Sequence, residues 1–171
     1  MIYLDHLTTT PPLTEVVDAM QPWLRGQFGA PASLHKLGLE ARDAIHAARE
    51  RLAKLVNAAE PEEIIFTSSG TEAINHAVKG AALANRRFGS HIVTTGIEHP
   101  AVLGSVAWLE SQGFSSTRVG VDGQGRVDPD AIGRAMNDET ILVCLHHANL
   151  DLGTVQPVAE VAELTDRKSV G

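Results

Sequence analysis

Apolar positions along this chain alternate between helical spacing and short unbroken runs, and each change of spacing marks a new element. Between Leu13 and Phe28, Val16, Val17, Met20 and Leu24 fall on one helical face. Ala41–Val56 predicts a stronger helix, with Ala44, Ile45, Ala48, Leu52 and Leu55 at helical spacing. The run Ile64–Phe66 predicts a short strand, and Thr71–Arg86 a helix with Ile74, Ala77 and Val78 turned inward. A strand at His91–Thr95 precedes a helix at Ala101–Gln112. A strand at Thr117–Val121 precedes a helix at Pro129–Met136, which opens on the proline that suits a first helical turn. Thr140–Leu145 reads as an apolar strand, and Val158–Leu164 begins a further helix. Strands alternating with helices predict an α/β fold, with a mostly parallel sheet covered by helices on both faces and right-handed crossovers.

The chain has 171 residues, the size of one ordinary domain, and 43% of them are hydrophobic, so a sizeable core is within reach. A net charge of −7 without a basic stripe argues against nucleic acid as a partner. No apolar run is long enough to span a membrane, and Met1–Asp5 carries no basic leader. The single cysteine, Cys144, excludes an internal disulfide and fits a reducing cytoplasm. No repeat, linker or low-complexity segment interrupts the pattern.

In a parallel sheet, ligands gather beyond the carboxyl ends of the strands. Three predicted strand ends are rich in reactive or small polar residues: Thr67–Glu72, Ile97–Ala101 and His146–Asp151. In the first, Ser68-Ser69-Gly70-Thr71 lies between an apolar run and a helix. Such a junction offers free N–H groups and the positive end of a helix dipole to a single phosphate. It is neither a P-loop nor a dinucleotide fingerprint, and the alternative is an ordinary helix capped by Ser69 or Thr71. His99 carries an imidazole, the side chain type suited to proton transfer, although a histidine before Pro100 also suits a plain cap. Extended neighbours His146 and His147 would point to opposite sides, and no cysteine pair or helical histidine pair supports them, so no metal site is expected.

Five segments in order resemble the cysteine desulfurases, a branch of the class V aminotransferase family. They are Tyr3-Leu4-Asp5 with Thr9-Thr10-Pro11; Gly29 through Gly38; Glu62 through Ala73; Glu98-His99-Pro100-Ala101-Val102; and His147 through Pro157. The resemblance covers about residues 2–164 and implies part of the large domain of a fold type I enzyme using pyridoxal 5'-phosphate, working as a homodimer. It divides the chain into an N-terminal arm at 1–12, a partial cofactor-binding domain at 13–164 and a tail at 165–171 that does not match. It implies that Gly70 and Thr71 hold the cofactor phosphate, and that His99 stacks on the pyridine ring and moves protons. The implied reaction converts L-cysteine to L-alanine and passes sulfur, as a persulfide, toward an acceptor protein. A selenocysteine or cysteine lyase and a non-catalytic paralogue are the alternatives.

The departures also carry expectations. Leu150 replaces the Asn whose side chain the resemblance would set against the cofactor's phenolic oxygen; Asn149 is retained but expected to point elsewhere. Asp5-His6-Leu7-Thr8 and Ala30 also differ from the usual pattern. Family chains are much longer, and their cofactor-bearing lysine and nucleophilic cysteine lie beyond the segments matched here. Lys36, Lys54, Lys79 and Lys168 sit in loop, helical or terminal contexts, and Cys144 falls within an apolar strand, so this polypeptide alone is expected to be inactive. The tail suggests an artificially cut coding sequence, with a true split subunit as the competing view. A cut domain would expose a sheet edge and apolar helix faces.

Overall fold

The computed structural model describes residues 2–4, 6 and 9–169, with side chains to residue 166. Asp5, Leu7 and Thr8 of the opening segment and the last two residues of the expected tail lie outside the described residues. The chain divides into two compact units, Met1–Phe66 and Thr67–Gly171.

The first unit is helical. α1 spans Thr14–Arg25 and α2 spans Lys36–Val56. α2 begins five residues before its expected start, because His35 caps it: the ring Nδ1 accepts from the Gly38 N–H at 3.3 Å. Gly29 and Gly38 allow the loop before α2 to close. A Cβ on Gly29 would overlap the Leu37 carbonyl oxygen, and one on Gly38 the Ser33 carbonyl oxygen. α2 ends on Asn57 in the left-handed region. No residue of α1 is buried. Trp23, Phe28, Ala44, Ile45, Ile64 and Phe66 help line an apolar hollow of about 920 Å³ within this unit.

The expected strand at Ile64–Phe66 does not form. A 3₁₀ turn at Pro61–Glu63 leads into an extended but unpaired segment. A strand is defined by its ladder, and these residues have none among the described residues. The Ile64 carbonyl instead accepts from Arg49 Nε at 3.1 Å, and the Arg49 guanidinium stands 5.6 Å from the Phe66 ring centre.

The second unit is the α/β part. It holds α3 (Gly70–Asn85), β1 (His91–Thr95), α4 (Pro100–Ser111), β2 (Ser115–Val119), α5 (Pro129–Ala135), β3 (Thr140–Cys144) and α6 (Val158–Ser169). The expected strand at 117–121 therefore starts two residues earlier; Val121 forms only an isolated antiparallel bridge to Val127. The three strands are parallel in the order β2-β1-β3. Alternation along the strands builds two cores. Ile92, with Leu142 and Cys144, faces Val78, Ala82, Val106 and Leu109 of α3 and α4. Val93, with Val143, faces Ile132 and Val161 of α5 and α6. Helices thus cover both faces, as the alternating pattern predicts. At the amino edge, buried His91 spans the sheet, its Nδ1 2.7 Å from Thr140 Oγ1 and its Nε2 2.9 Å from Thr117 Oγ1. Among the described residues, no helix is long and apolar enough to cross a membrane.

Candidate functional site

Strand order locates the site. From β1 the chain moves outward to β2 through α4, then returns across β1 to β3 through α5. The helices that follow β1 and β3 lie on opposite faces of the sheet. The loops leaving these neighbouring strands therefore diverge, opening a crevice at their carboxyl ends where ligands characteristically bind.

On the β1 side the loop ends in His99, the N-cap of α4. Its Nδ1 accepts from the Ala101 N–H at 3.1 Å, and Pro100 fills the first helical position. An Nδ1 acceptor fixes the neutral tautomer with its proton on Nε2, so the nitrogen left for chemistry is Nε2–H. The capping role and an exposed reactive nitrogen thus coexist in one residue.

A cleft of about 470 Å³ lies on the α3/α4 face. It is lined by Ile74, Ala77 and Val78 of α3, by Glu98, His99 and Val102, and by the end of β3 and the two residues after it, Leu142 to His146. Its walls are largely apolar, and its polar groups gather where the two loops leave the sheet. Gly70, Thr71 and Leu150 are not among its lining residues. Ile74 follows Gly70 by about one helical turn, so the start of α3 stands next to the cleft.

That start is capped. Ser69 Oγ accepts from the Glu72 N–H at 3.2 Å, and the Glu72 carboxylate accepts from the Ser68 N–H at 2.7 Å and from the Ser68 hydroxyl. The Ser68 hydroxyl, then its N–H, hold the Glu72 carboxyl below the usual carboxylate range. This is a capping box displaced by one residue. Gly70 and Thr71, the first two residues of α3, are exposed, and a Cβ on Gly70 would meet nothing within 4 Å. Two N–H donors, a hydroxyl and open space at a helix amino end fit a phosphate. An exposed imidazole beside an apolar cleft fits the flat ring of a phosphorylated pyridine cofactor.

The β3 side is held by groups that sequence reasoning missed or used otherwise. Glu98 is buried: Oε1 accepts from Thr95 Oγ1 at 2.7 Å, and Oε2 from the His146 N–H at 2.9 Å. The His146 ring brings Nδ1 to 2.8 Å from the same Oε2, a close contact outside hydrogen-bond geometry, and Nε2 is buried without a partner among the described residues. Cys144, also on the cleft, has its thiol pushed up to about 11 by burial, with the Glu98 charge adding to it. Asn149 ties the two loops together: its Nδ2 donates to the Ile97 carbonyl at 3.0 Å, and its Oδ1 accepts from the Asp151 and Leu152 N–H groups at 2.9 and 2.8 Å. Leu150 is 53% exposed in the turn just beyond it. Gln156 is buried, its Oε1 accepting from the Val127 N–H at 3.0 Å and its Nε2 donating to the Gly125 carbonyl at 2.7 Å. A Glu beside a His at a strand end was the only signal that could have marked Glu98. No group of three or more His, Cys, Asp or Glu residues among those described is placed to hold a metal ion.

Comparison with known proteins adds a lineage. The aminotransferase class-V family model matches residues 2–170. The chain is 45% identical over 169 residues to cysteine desulfurase IscS of Methanosarcina thermophila, covering 99% of this chain and 42% of that protein. It is 47% identical over 163 residues to putative cysteine desulfurase IscS 1 of Bacillus subtilis, covering 95% of this chain and 43% of that one. Among solved structures, a NifS-like protein superposes with a TM-score of 0.92 at 36% identity, over 98% of this chain and 46% of the other. SspA in complex with cysteine gives 0.91 at 34% identity, over 98% and 48%. The chain spans about two fifths of the length of the curated relatives it matches.

Proposed function

The chain belongs to the class-V aminotransferase family, and from that premise we propose that it forms the cofactor-holding part of a cysteine desulfurase. The whole enzyme converts L-cysteine to L-alanine and delivers the sulfur, as an enzyme persulfide, to an acceptor protein for iron–sulfur clusters or thio-cofactors. It works in the cytoplasm as a homodimer. In this reading residues 1–12 are an arm, 13–164 part of the cofactor domain and 165–171 a tail. The observation that carries it is His99: capped through Nδ1, lining the cleft, with Nε2–H left free, in a chain whose relatives are named cysteine desulfurases.

Pyridoxal 5'-phosphate, when bound, supplies the electron sink for bond breaking at an amino acid's α-carbon. The chain's own residues do the holding and orienting. The Gly70 and Thr71 N–H groups and the Thr71 hydroxyl bind the phosphate, helped by the helix dipole. His99 covers the ring and moves a proton at Nε2. The apolar walls from Ile74, Val102 and Leu142 exclude water from the cleft. Residues 1–171 by themselves produce no alanine in this reading. Lys36 pairs with Glu40 on the surface of α2 and Lys54 is exposed; Lys79 of α3 lies 4.8 Å from the Trp108 ring and is not among the residues lining the cleft.

Titration of pyridoxal phosphate into the chain and into its Thr71→Val and His99→Ala variants tests the site. Each substitution should weaken binding about three- to tenfold, the loss of about one net hydrogen bond or ring contact; unchanged affinity in both would refute it. A second reading, a non-catalytic paralogue, draws on Leu150, which offers no hydrogen bond where the desulfurase pattern has Asn. A Ser-x-His-Lys segment encoded downstream favours the enzyme, and its absence the paralogue.

A further inference from the structure

We propose that Glu98 is a positioning residue: its buried carboxylate clasps the two diverging loops together and so fixes His99 at the end of the cleft.

The carboxylate sits where the crevice opens. Its side chain is only 1% exposed, and a charge so placed is tolerated only with close partners. Those partners come from both strands. Thr95, the last residue of β1, binds one oxygen; the backbone and ring of His146, just beyond β3, engage the other. Strand pairing alone ends at Thr94 opposite Cys144, so beyond it the two loops have no ladder to hold them in register. Glu98 and the Asn149–Ile97 hydrogen bond join them there. His99 is the next residue after Glu98, and its ring is oriented by one hydrogen bond of its own. With the side chain of Glu98 anchored, the backbone entering His99 has little freedom, and the Nδ1 cap forms without a search. Thr95 adds a second tie, its hydroxyl also accepting from the Ile97 N–H at 3.4 Å.

The consequence for function rests on the reading that His99 covers the cofactor ring, but the positioning itself can be read without cofactor. The 171-residue chain, labelled with ¹⁵N-histidine, would be compared with Glu98→Ala, Glu98→Gln and Thr95→Val, the His99 ring signals being assigned with His99→Gln. Wild type should show separate Nδ1 and Nε2 signals of one fixed tautomer. Glu98→Ala should move them toward a tautomer average, while amide exchange of Val93 and Val143 stays slow. Glu98→Gln should restore the wild-type pattern, because its amide can still accept from the His146 N–H and meet the Thr95 hydroxyl. Unmoved His99 signals in Glu98→Ala overturn the proposal, as does failure of Gln to restore them or loss of Val93 and Val143 protection together with the shift. If Glu98→Ala does not fold, Thr95→Val decides: His99 signals must shift with strand protection intact, and unshifted signals overturn it. Pyridoxal phosphate titration then separates the two ideas. Wherever wild type binds, Glu98→Ala should bind about three- to tenfold more weakly. A wild type that does not bind refutes the cofactor reading, while the histidine signals still decide the role of Glu98.

Discussion

Replacing Asn149 by Ala removes three hydrogen bonds with a single truncation. The amide donates to the Ile97 carbonyl at 3.0 Å and accepts from two successive N–H groups, Asp151 and Leu152, at 2.9 and 2.8 Å. At a net worth of about 0.5–1.5 kcal/mol each, the upper sum would be about 4.5 kcal/mol. The three partners are not equally exposed, so losing each bond has a different cost. Asp151 and Leu152 are exposed, and water replaces Oδ1 there at little cost, whereas Ile97 is half-buried and its carbonyl is left poorly solvated. About 2 kcal/mol is therefore expected, most of it from the bond to Ile97. Asn149→Asp separates the contributions: it keeps the acceptor for the two N–H groups, loses the donor to Ile97, and brings a second negative charge into the crevice that holds Glu98. It should destabilise at least as much as Asn149→Ala. Urea unfolding gives the total, and hydrogen exchange by mass spectrometry shows where it falls. Protection should drop in peptides covering residues 96–99 and 147–156 and hold in β1 and β2. A change below about 0.5 kcal/mol in Asn149→Ala, or protection lost evenly across the unit, would show that this turn is not tied to the β1 loop as described.

Single contacts set three further outcomes. Ser69→Ala should cost about 1 kcal/mol by freeing the Glu72 N–H at the start of α3, measured by thermal unfolding; Ser69→Thr should recover most of it. With its thiol pushed up to about 11, Cys144 should react with iodoacetamide at pH 8 about a hundredfold more slowly than a free cysteine, from thiolate fraction alone; equal rates would refute the raised thiol. Burial lowers the His91 pKa, so the unfolded chain binds its proton more readily than the folded one. Its stabilisation is full above the ordinary histidine value of about 6.5 and is lost as pH falls below it toward the folded value. His91→Gln should flatten that part of the stability curve, read as urea midpoints between about pH 8 and pH 5.

The periodic pattern by itself determined the α/β class, the helices on both faces and most element bounds within a few residues. The reason is that apolar spacing records which side of an element meets a core, and the two cores around β1 demand the alternation seen at Ile92 and Val93. Short motifs also marked the start of α3 and His99, because caps are local chemistry within four residues. Local pattern could not say whether Ile64–Phe66 had a ladder partner, since a strand is completed by residues distant in sequence; among the described residues the segment has none. Nor could it show that Glu98, one charged residue among many, is buried between β1 and β3. That was decided by strand order, which puts Thr95 and His146, 51 positions apart by their numbering, against the same carboxylate.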